Sequence, residues 1–249
     1  MKARAQLPRF SPFAARCFET VFLPLRNMRL GEIRLLNQPA PETIPPGRPV
    51  LLVGNHVSNW DGFLFREAQR RLRPDWPIFS VMLEKELAAR PLFRRLGGIG
   101  IDPASPASIA KALRSVRALR AANPEFFLSY FPQGDIYPSF KRPLGFLGGV
   151  DFFVRALAPL TVIPVGMHME PMQKLAPTFF VCMGRPMRID RPSQVHRVLE
   201  SLVEMELDGL HARLSAGMAQ DGEAPGGEAP GGTAAGKAPA AVASGSVPA

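Results

Sequence analysis

The sequence predicts an α/β domain with a largely parallel central sheet flanked by helices. Short apolar runs bounded by turn residues recur along the chain, and such runs are typical of strands buried on both faces of a parallel sheet. Helical patterns lie between several of these runs, and strands that alternate with helices indicate this fold class. Six runs are predicted as strands: Val50–Val53, Pro77–Met82, Gly98–Asp102, Phe126–Phe131, Thr161–Val165 and Phe179–Met183.

Three stretches predict helices that cover the sheet. The segment from Gly62 to Leu72 follows the first strand and ends in a basic cluster, which suits the C-terminus of a helix. The clearest helical pattern is Ser105–Ala122, where apolar residues recur at helical spacing and Pro106 suits the first turn. A closing helix is predicted over Ser193–Leu214.

The chain divides into three parts by composition. Its 249 residues are enough to bury a substantial core. From residue 219 onward the sequence is nearly all Gly, Ala, Pro and small polar residues, and GEAPG occurs twice in tandem. Such a segment buries too little apolar surface to offset its chain entropy, so residues 219–249 are predicted to be disordered. Residues 37–218 are predicted to form the folded domain.

The first 36 residues mix basic and bulky apolar side chains. They contain seven Lys or Arg residues against two Glu, with phenylalanine, leucine and valine interspersed. This pattern predicts an amphipathic segment that lies on the surface of an anionic membrane. The alternative is an ordinary amphipathic helix packed on the domain. No apolar run approaches the ~18 residues that a membrane-spanning helix requires, so we expect peripheral or monotopic binding at the cytoplasmic face.

The charge of the chain narrows the classes of partner. A net charge of +9 and a pI near 10.4 favour an anionic partner, which is a nucleic acid, a membrane surface or a phosphorylated substrate. No recognisable nucleic-acid module is present, so we expect no nucleic acid. Cys17 and Cys182 lie far apart without a CxxC motif, which indicates neither a zinc site nor a disulfide framework.

The stretch GNHVSNWDG, residues 54–62, places His56 just after a predicted buried strand and Asp61 where the next helix begins. In open α/β sheets, ligands bind at the carboxyl ends of the strands. This position predicts a catalytic His–Asp pair. The alternative is that Asp61 only caps the helix and His56 is a hydrogen-bonded polar residue in a turn.

Three further motifs follow in order and make the pattern specific. They are GGIGID at residues 97–102, FPQG at residues 131–134 and VIPV at residues 162–165. Together with H-x4-D, this order resembles the glycerophospholipid acyltransferase family, whose best-known members are the lysophosphatidic acid acyltransferases. The resemblance covers roughly residues 45–190. Each motif alone is weak, but the four in order are specific.

The resemblance implies an acyl transfer from acyl-CoA or acyl carrier protein to a lipid hydroxyl, without a metal or other cofactor. Histidine suits the role of general base, since its ordinary pKa of ~6.5 leaves it largely neutral at physiological pH. His56 would remove the proton of the acceptor hydroxyl, and Asp61 would orient the imidazole. The motif holds no evident serine or cysteine nucleophile, which favours direct transfer. A hydrolase, or a non-catalytic membrane-surface protein with the same fold, remains an alternative.

The predicted substrate-binding residues surround this pair, and they depart from the family pattern. They are Asn55, Gln133, Gly134, Lys141 and Arg142. Backbone amides near Gly134 are candidates for stabilising the oxyanion. The usual third motif is FPEGTR, and its arginine is held to bind the acceptor phosphate; this chain has isoleucine at that position and Pro103 where a second arginine is common. We therefore expect an acceptor other than glycerol phosphate, unless Lys141 and Arg142 compensate.

Overall fold

The computed structural model describes residues 7–29, 31–172, 175–191 and 194–217. Within these residues eight strands form one sheet. In chain order they are β1 (Ile33–Leu36), β2 (Val50–Gly54), β3 (Ile78–Leu83), β4 (Gly98–Ile101), β5 (Phe127–Tyr130), β6 (Leu160–Glu170), β7 (Thr178–Met183) and β8 (Met187–Ile189). The sheet order is β1-β7-β6-β2-β5-β3-β4, and β8 pairs with β6.

The five strands from β6 to β4 in this order run parallel to one another. At the other side of the sheet, β7 and β8 run antiparallel to β6, and β1 runs parallel to β7. The central strands β2 and β5 are buried at every position, because helices cover both faces. The fold prediction is therefore confirmed: the protein is a mixed α/β domain with a mostly parallel central sheet.

Helices cover the two faces of the sheet unequally. Those in the described residues are α1 (Pro12–Arg29), α2 (Asp61–Leu72), α3 (Glu84–Ala89), α4 (Leu92–Arg95), α5 (Pro106–Ala122), α6 (Gly149–Leu157) and α7 (His196–Ser215). One core cluster packs β2 and its neighbours against α2, and the other packs them against α5, α6 and α7. Alternate residues of β2 enter the two clusters, as the pleat of a strand requires.

Two edge strands and one extension were not predicted from the sequence. Strand β6 continues to Glu170, five residues beyond its predicted end at Val165, because β7 returns beside it as an antiparallel partner. Residues 33–36, which we assigned to the membrane-surface segment, instead form β1 and pair with residues 179–182 of β7. Strand β8 has only three residues and no clear pattern in the sequence.

The remaining part of the N-terminal segment contains α1, which contacts the domain at its start. Ala15 is buried, and the Phe18 ring lies 5.6 Å from that of Phe63 on α2. Phe13 and Val21 are exposed by 78% and 72%. No helix in the described parts of the chain is long and apolar enough to cross a membrane. The predicted disordered tail, residues 219–249, lies outside the described residues.

Candidate active site

The site forms where β2 and β5 end side by side. Their parallel register pairs Val53 with Tyr130, so the residues that follow each strand leave the sheet as neighbours. His56 comes three residues after Val53, and Gln133 comes three residues after Tyr130. The Oε1 atom of Gln133 accepts a hydrogen bond of 2.7 Å from the backbone N–H of His56. Two motifs that are 77 residues apart in the sequence are thereby joined.

His56 and Asp61 form the pair that the H-x4-D spacing predicts. Asp61 is the first residue of α2, and its Oδ2 lies 2.7 Å from Nδ1 of His56. Because a carboxylate only accepts hydrogen bonds, this contact places the imidazole proton on Nδ1 and leaves the lone pair on Nε2. The His56 side chain is 23% exposed and that of Asp61 is fully buried. Among the described residues, Nε2 of His56 has no hydrogen-bond partner.

Asp61 does not act as a helix cap. Its Oδ2 also accepts from the backbone N–H groups of Val57, at 2.6 Å, and Ser58, at 3.0 Å, and its Oδ1 accepts from Ser58 Oγ at 2.6 Å. These donors precede the helix. The residue before Asp61, Trp60, makes no side-chain cap either. The loop before α2 therefore wraps around the Asp61 carboxylate. These hydrogen bonds compensate for the burial of the carboxylate and fix the position of His56.

Aromatic stacking holds the plane of the imidazole. The His56 ring stacks on Phe131 with centroids 4.5 Å apart, and Phe131 stacks on the buried Phe65 at 4.8 Å. The backbone carbonyl of His56 accepts from Tyr137 N–H at 2.8 Å. Sequence analysis did not assign a role to Phe131 or Tyr137. For Phe131, its position directly before the PQG turn could have indicated a role beside His56.

Asn55 and Gln133, both predicted to bind substrate, have their polar atoms engaged within the protein. The buried amide of Asn55 donates to Met167 O and accepts from Met167 N–H, both at 2.8 Å. This pair of bonds extends the contact between β2 and β6 past the end of β2. Gln133 is also buried, and its Nε2 donates to Leu144 O at 3.0 Å. Both residues position the loops that frame His56.

Gly134 has a backbone conformation that favours glycine. Its φ is +73°, and a side chain there would meet Leu147 at 3.3 Å. Its N–H donates to Phe131 O at 3.2 Å within the turn, so this amide is not directed at an oxyanion. The backbone amides of Val57 and Ser58, which follow His56, are hydrogen-bonded to Asp61.

The two cations predicted as substitutes for the phosphate-binding arginines both have partners within the protein, but only Arg142 is paired with a carboxylate. Lys141 Nζ donates to Leu144 O at 2.8 Å and lies 4.4 Å from the Tyr137 ring centroid. Arg142 pairs with Asp208 of α7 at 2.6 Å and donates to the carbonyls of Ser139 and Lys141. These contacts connect the loop between β5 and α6 to helix α7.

A second polar cluster lies beside this loop. His168, on β6, contacts Ser139 Oγ through Nδ1 at 2.6 Å. The His211 ring packs edge-on against His168 with centroids 4.9 Å apart. Burial lowers the pKa of both histidines, and the charge of Glu170 partly opposes this for His168. These lowered pKa values favour the neutral form of both side chains.

A second His–Asp pair lies elsewhere in the domain. Nδ1 of His196 is 2.8 Å from Oδ2 of Asp151, and Oδ1 of the same carboxylate accepts from the backbone N–H groups of Val195 and His196. Asp151 therefore holds the start of α7. In the described residues, no group of three or more His, Cys, Asp or Glu side chains is arranged to hold a metal ion.

The comparisons with known proteins bear on this arrangement. A family model described as Acyltransferase matches residues 37–168, which contain the His56–Asp61 pair and the three later motifs. The chain belongs to the acyltransferase family. This match confirms the family predicted from the motifs, and the protein is an acyltransferase.

The acyltransferase has a TM-score of 0.48 and 19% identity with the crystal structure of the 1-acyl-sn-glycerophosphate (LPA) acyltransferase, PlsC, from Thermotoga maritima. That match covers 81% of this chain and 78% of the other. No curated protein sequence matches the acyltransferase.

Proposed function

We propose that this acyltransferase moves a fatty acyl group from acyl-CoA or acyl carrier protein to the hydroxyl of a lipid, with His56 as general base. The observation that carries this proposal is the 2.7 Å contact between His56 Nδ1 and the buried Asp61 carboxylate. Among the described residues, the imidazole is hydrogen-bonded only through Nδ1. Its Nε2 is therefore available to a substrate.

The reaction follows from this geometry. Nε2 of His56 removes the proton of the acceptor hydroxyl as its oxygen attacks the thioester carbonyl. Asp61 stabilises the imidazolium that forms. The tetrahedral intermediate collapses with cleavage of the carbon–sulfur bond, and the imidazolium returns its proton to the departing thiolate. The products are the acyl ester and the free thiol, and His56 is neutral again.

Direct transfer is favoured over a covalent acyl-enzyme. Ser58 is the hydroxyl residue within the H-x4-D motif, and its Oγ donates to Asp61 Oδ1 at 2.6 Å and accepts from Trp60 N–H at 3.1 Å. A serine nucleophile would need to donate its proton to the base instead. Transfer to water would make the enzyme a hydrolase, and product analysis distinguishes the free acid from the acyl ester.

Replacement of His56 tests the assignment. We expect His56→Ala to lower the rate of acyl transfer by about 10²- to 10⁴-fold, the usual contribution of a general base. Far-UV circular dichroism and the melting temperature should stay near the wild-type values. The matched control is His196→Ala, which removes the histidine of the other His–Asp pair and should leave kcat within about threefold. Retention of more than a few per cent of activity by His56→Ala would contradict the assignment.

We also propose that the acceptor is a lipid hydroxyl without a glycerol phosphate group. The two nearby cations, Lys141 and Arg142, already have carbonyl, aromatic or carboxylate partners. A phosphate would have to displace these contacts, whose charge-assisted hydrogen bonds are stronger than neutral ones. Asp135 is exposed on the same loop and adds a charge that repels phosphate. Neutral lipids and glycolipids fit such surroundings better.

An acceptor panel separates these classes. We expect the purified enzyme to acylate glycolipid or other neutral lipid hydroxyls in preference to lysophosphatidate. Arg142→Ala should change kcat/KM for the preferred acceptor by less than about threefold, with Arg188→Ala, which removes another paired arginine, as the control. A strong preference for lysophosphatidate that is lost in Arg142→Ala would contradict the proposal and identify Arg142 as the phosphate ligand.

We propose, finally, that residues 1–30 attach the enzyme to anionic membrane surfaces. Arg9 and Arg16 are exposed on this segment together with Phe13 and Val21. A deletion that ends at residue 30 keeps β1 in the sheet. We expect this deletion to weaken sedimentation with anionic vesicles, and high salt to weaken binding of the intact protein. Equal binding of the deleted and intact proteins would exclude this role.

A further inference from the structure

Exposed apolar side chains are concentrated on two segments of the domain. Among the described residues, thirteen large hydrophobic side chains are exposed, and six of them lie on residues 136–147 and 169–175. Scattered exposed apolar residues need no explanation, but clustered ones indicate an interaction surface. We call this set the apolar rim: Ile136, Phe140, Leu147, Met169, Met172 and Leu175.

The two segments of the apolar rim meet at one hydrogen bond. Ser139 Oγ lies 2.6 Å from Nδ1 of His168. Phe140 and Met169 are the next residues along each chain segment, and they are 75% and 40% exposed. The loop between β5 and α6 and the hairpin between β6 and β7 therefore meet at this bond, and each carries exposed apolar side chains close to it in the sequence.

The loop that carries half of the apolar rim is held in place by helix α7. Three acidic residues spaced by one turn of that helix contact it. Glu200 accepts from Gly145 N–H, Glu204 accepts from Leu144 N–H at 2.9 Å, and Asp208 pairs with Arg142 at 2.6 Å. These contacts anchor the backbone of the loop to α7, and Phe140 and Leu147 are exposed on this anchored loop.

The same loop borders the catalytic histidine. Tyr137 N–H donates to His56 O, and Gln133 joins His56 N–H to Leu144 O. We propose that the apolar rim inserts into the interfacial layer of a lipid bilayer and thereby places His56 at the lipid surface. This inference rests on the proposed function, in which the acceptor is a lipid.

The shape of the surface and the net charge of the whole chain favour a bilayer over a protein partner. The apolar side chains lie at a loop and a hairpin, and Leu175 is fully exposed, which fits insertion into a deformable layer. The net charge of +9 favours an anionic surface. This second contact differs in kind from the basic N-terminal segment, because burial of apolar area is insensitive to salt whereas attraction between charges is screened.

Sedimentation with vesicles tests the apolar rim. We compare the wild type with Phe140→Ser/Leu147→Ser on vesicles of phosphatidylcholine with 30% phosphatidylglycerol (our choice, roughly the anionic share that makes surface charge matter), at low and high salt. We expect the variant to partition onto the vesicles at least about tenfold more weakly than the wild type. At high salt the wild type should keep a residual binding, and the variant should lack it. The matched control is Val198→Ser/Met205→Ser, which removes two apolar side chains of similar exposure from α7 and should bind as the wild type.

Two further measurements distinguish a failure of this inference from a failure of the proposed function. Thiol release from acyl-CoA with a water-soluble, short-chain acceptor and no vesicles should be equal in the variant and the wild type. If neither protein releases thiol in a His56-dependent manner, the proposed function fails. Unchanged vesicle binding by the variant would overturn the apolar rim as a membrane contact. A wild-type dimer in size-exclusion chromatography that the variant lacks would instead assign the surface to a second copy of the chain.

Discussion

Replacement of Asp61 by asparagine isolates the role of its charge. Oδ2 of Asp61 accepts from three N–H groups, on His56, Val57 and Ser58. The amide oxygen of asparagine must therefore occupy this position, which turns its NH₂ group toward Ser58 Oγ, a group able to accept. The loop and the Nδ1 proton of His56 are kept, while the negative charge is lost.

The size of the effect follows from the distance. With the carboxylate 2.7 Å from Nδ1 and charge centres about 4 Å apart, the attraction to an imidazolium is about 4 kcal/mol at an effective dielectric constant near 20. Each ~1.4 kcal/mol is a factor of ten in rate, so loss of the full interaction lowers kcat by about 10³-fold. The neutral hydrogen bond that remains still stabilises the imidazolium in part, so the loss in kcat is smaller than this limit. We expect kcat to fall by about 10- to 1000-fold.

The assay is thiol release under saturating acceptor, measured beside thermal unfolding. The control is Asp151→Asn, because that carboxylate also bonds a histidine Nδ1 and two backbone N–H groups. Both variants should lose a similar ~1–2 kcal/mol of unfolding free energy through weaker hydrogen bonds, but only Asp61→Asn should lose activity. If Asp61→Asn stays within threefold of the wild type while its stability falls as in the control, Asp61 does not stabilise the imidazolium.

Two further predictions concern stability. Asn55→Ala leaves the N–H and C=O of Met167 buried without partners, so urea unfolding should show a loss of about 2–4 kcal/mol; a loss below ~1 kcal/mol would contradict this. Burial lowers the pKa of His168 and His211, so below about pH 6.5 the unfolded chain binds more protons at these residues than the folded protein does. The free energy of unfolding should therefore decrease as the pH is lowered, until the pH is below the folded-state pKa values. The urea unfolding midpoint should decrease from pH 8 to pH 5, and this pH dependence should be smaller in His168→Gln/His211→Gln. An equal pH dependence in the variant and the wild type would contradict the role of the two histidines.

The fold class and the contact between His56 and Asp61 were predictable from the sequence, because both are encoded at short range. Continuous apolar runs predict buried parallel strands wherever they pair. His56 and Asp61 are five residues apart at a strand–loop–helix junction, so their contact at 2.7 Å needs only local chain folding. The family match over residues 37–168 contains both His56 and Asp61.

The hydrogen-bond partners of the predicted substrate-binding side chains could not be predicted from the sequence. Asn55, Gln133 and Arg142 each fit a binding role by type and position, but their partners lie 112, 11 and 66 residues away in the sequence. Residues 33–36 likewise joined the sheet because β7 offered a free edge. A hydrogen-bonding group does not reveal its partner through local pattern, since the partner is set by which distant segment the packing of the core brings beside it.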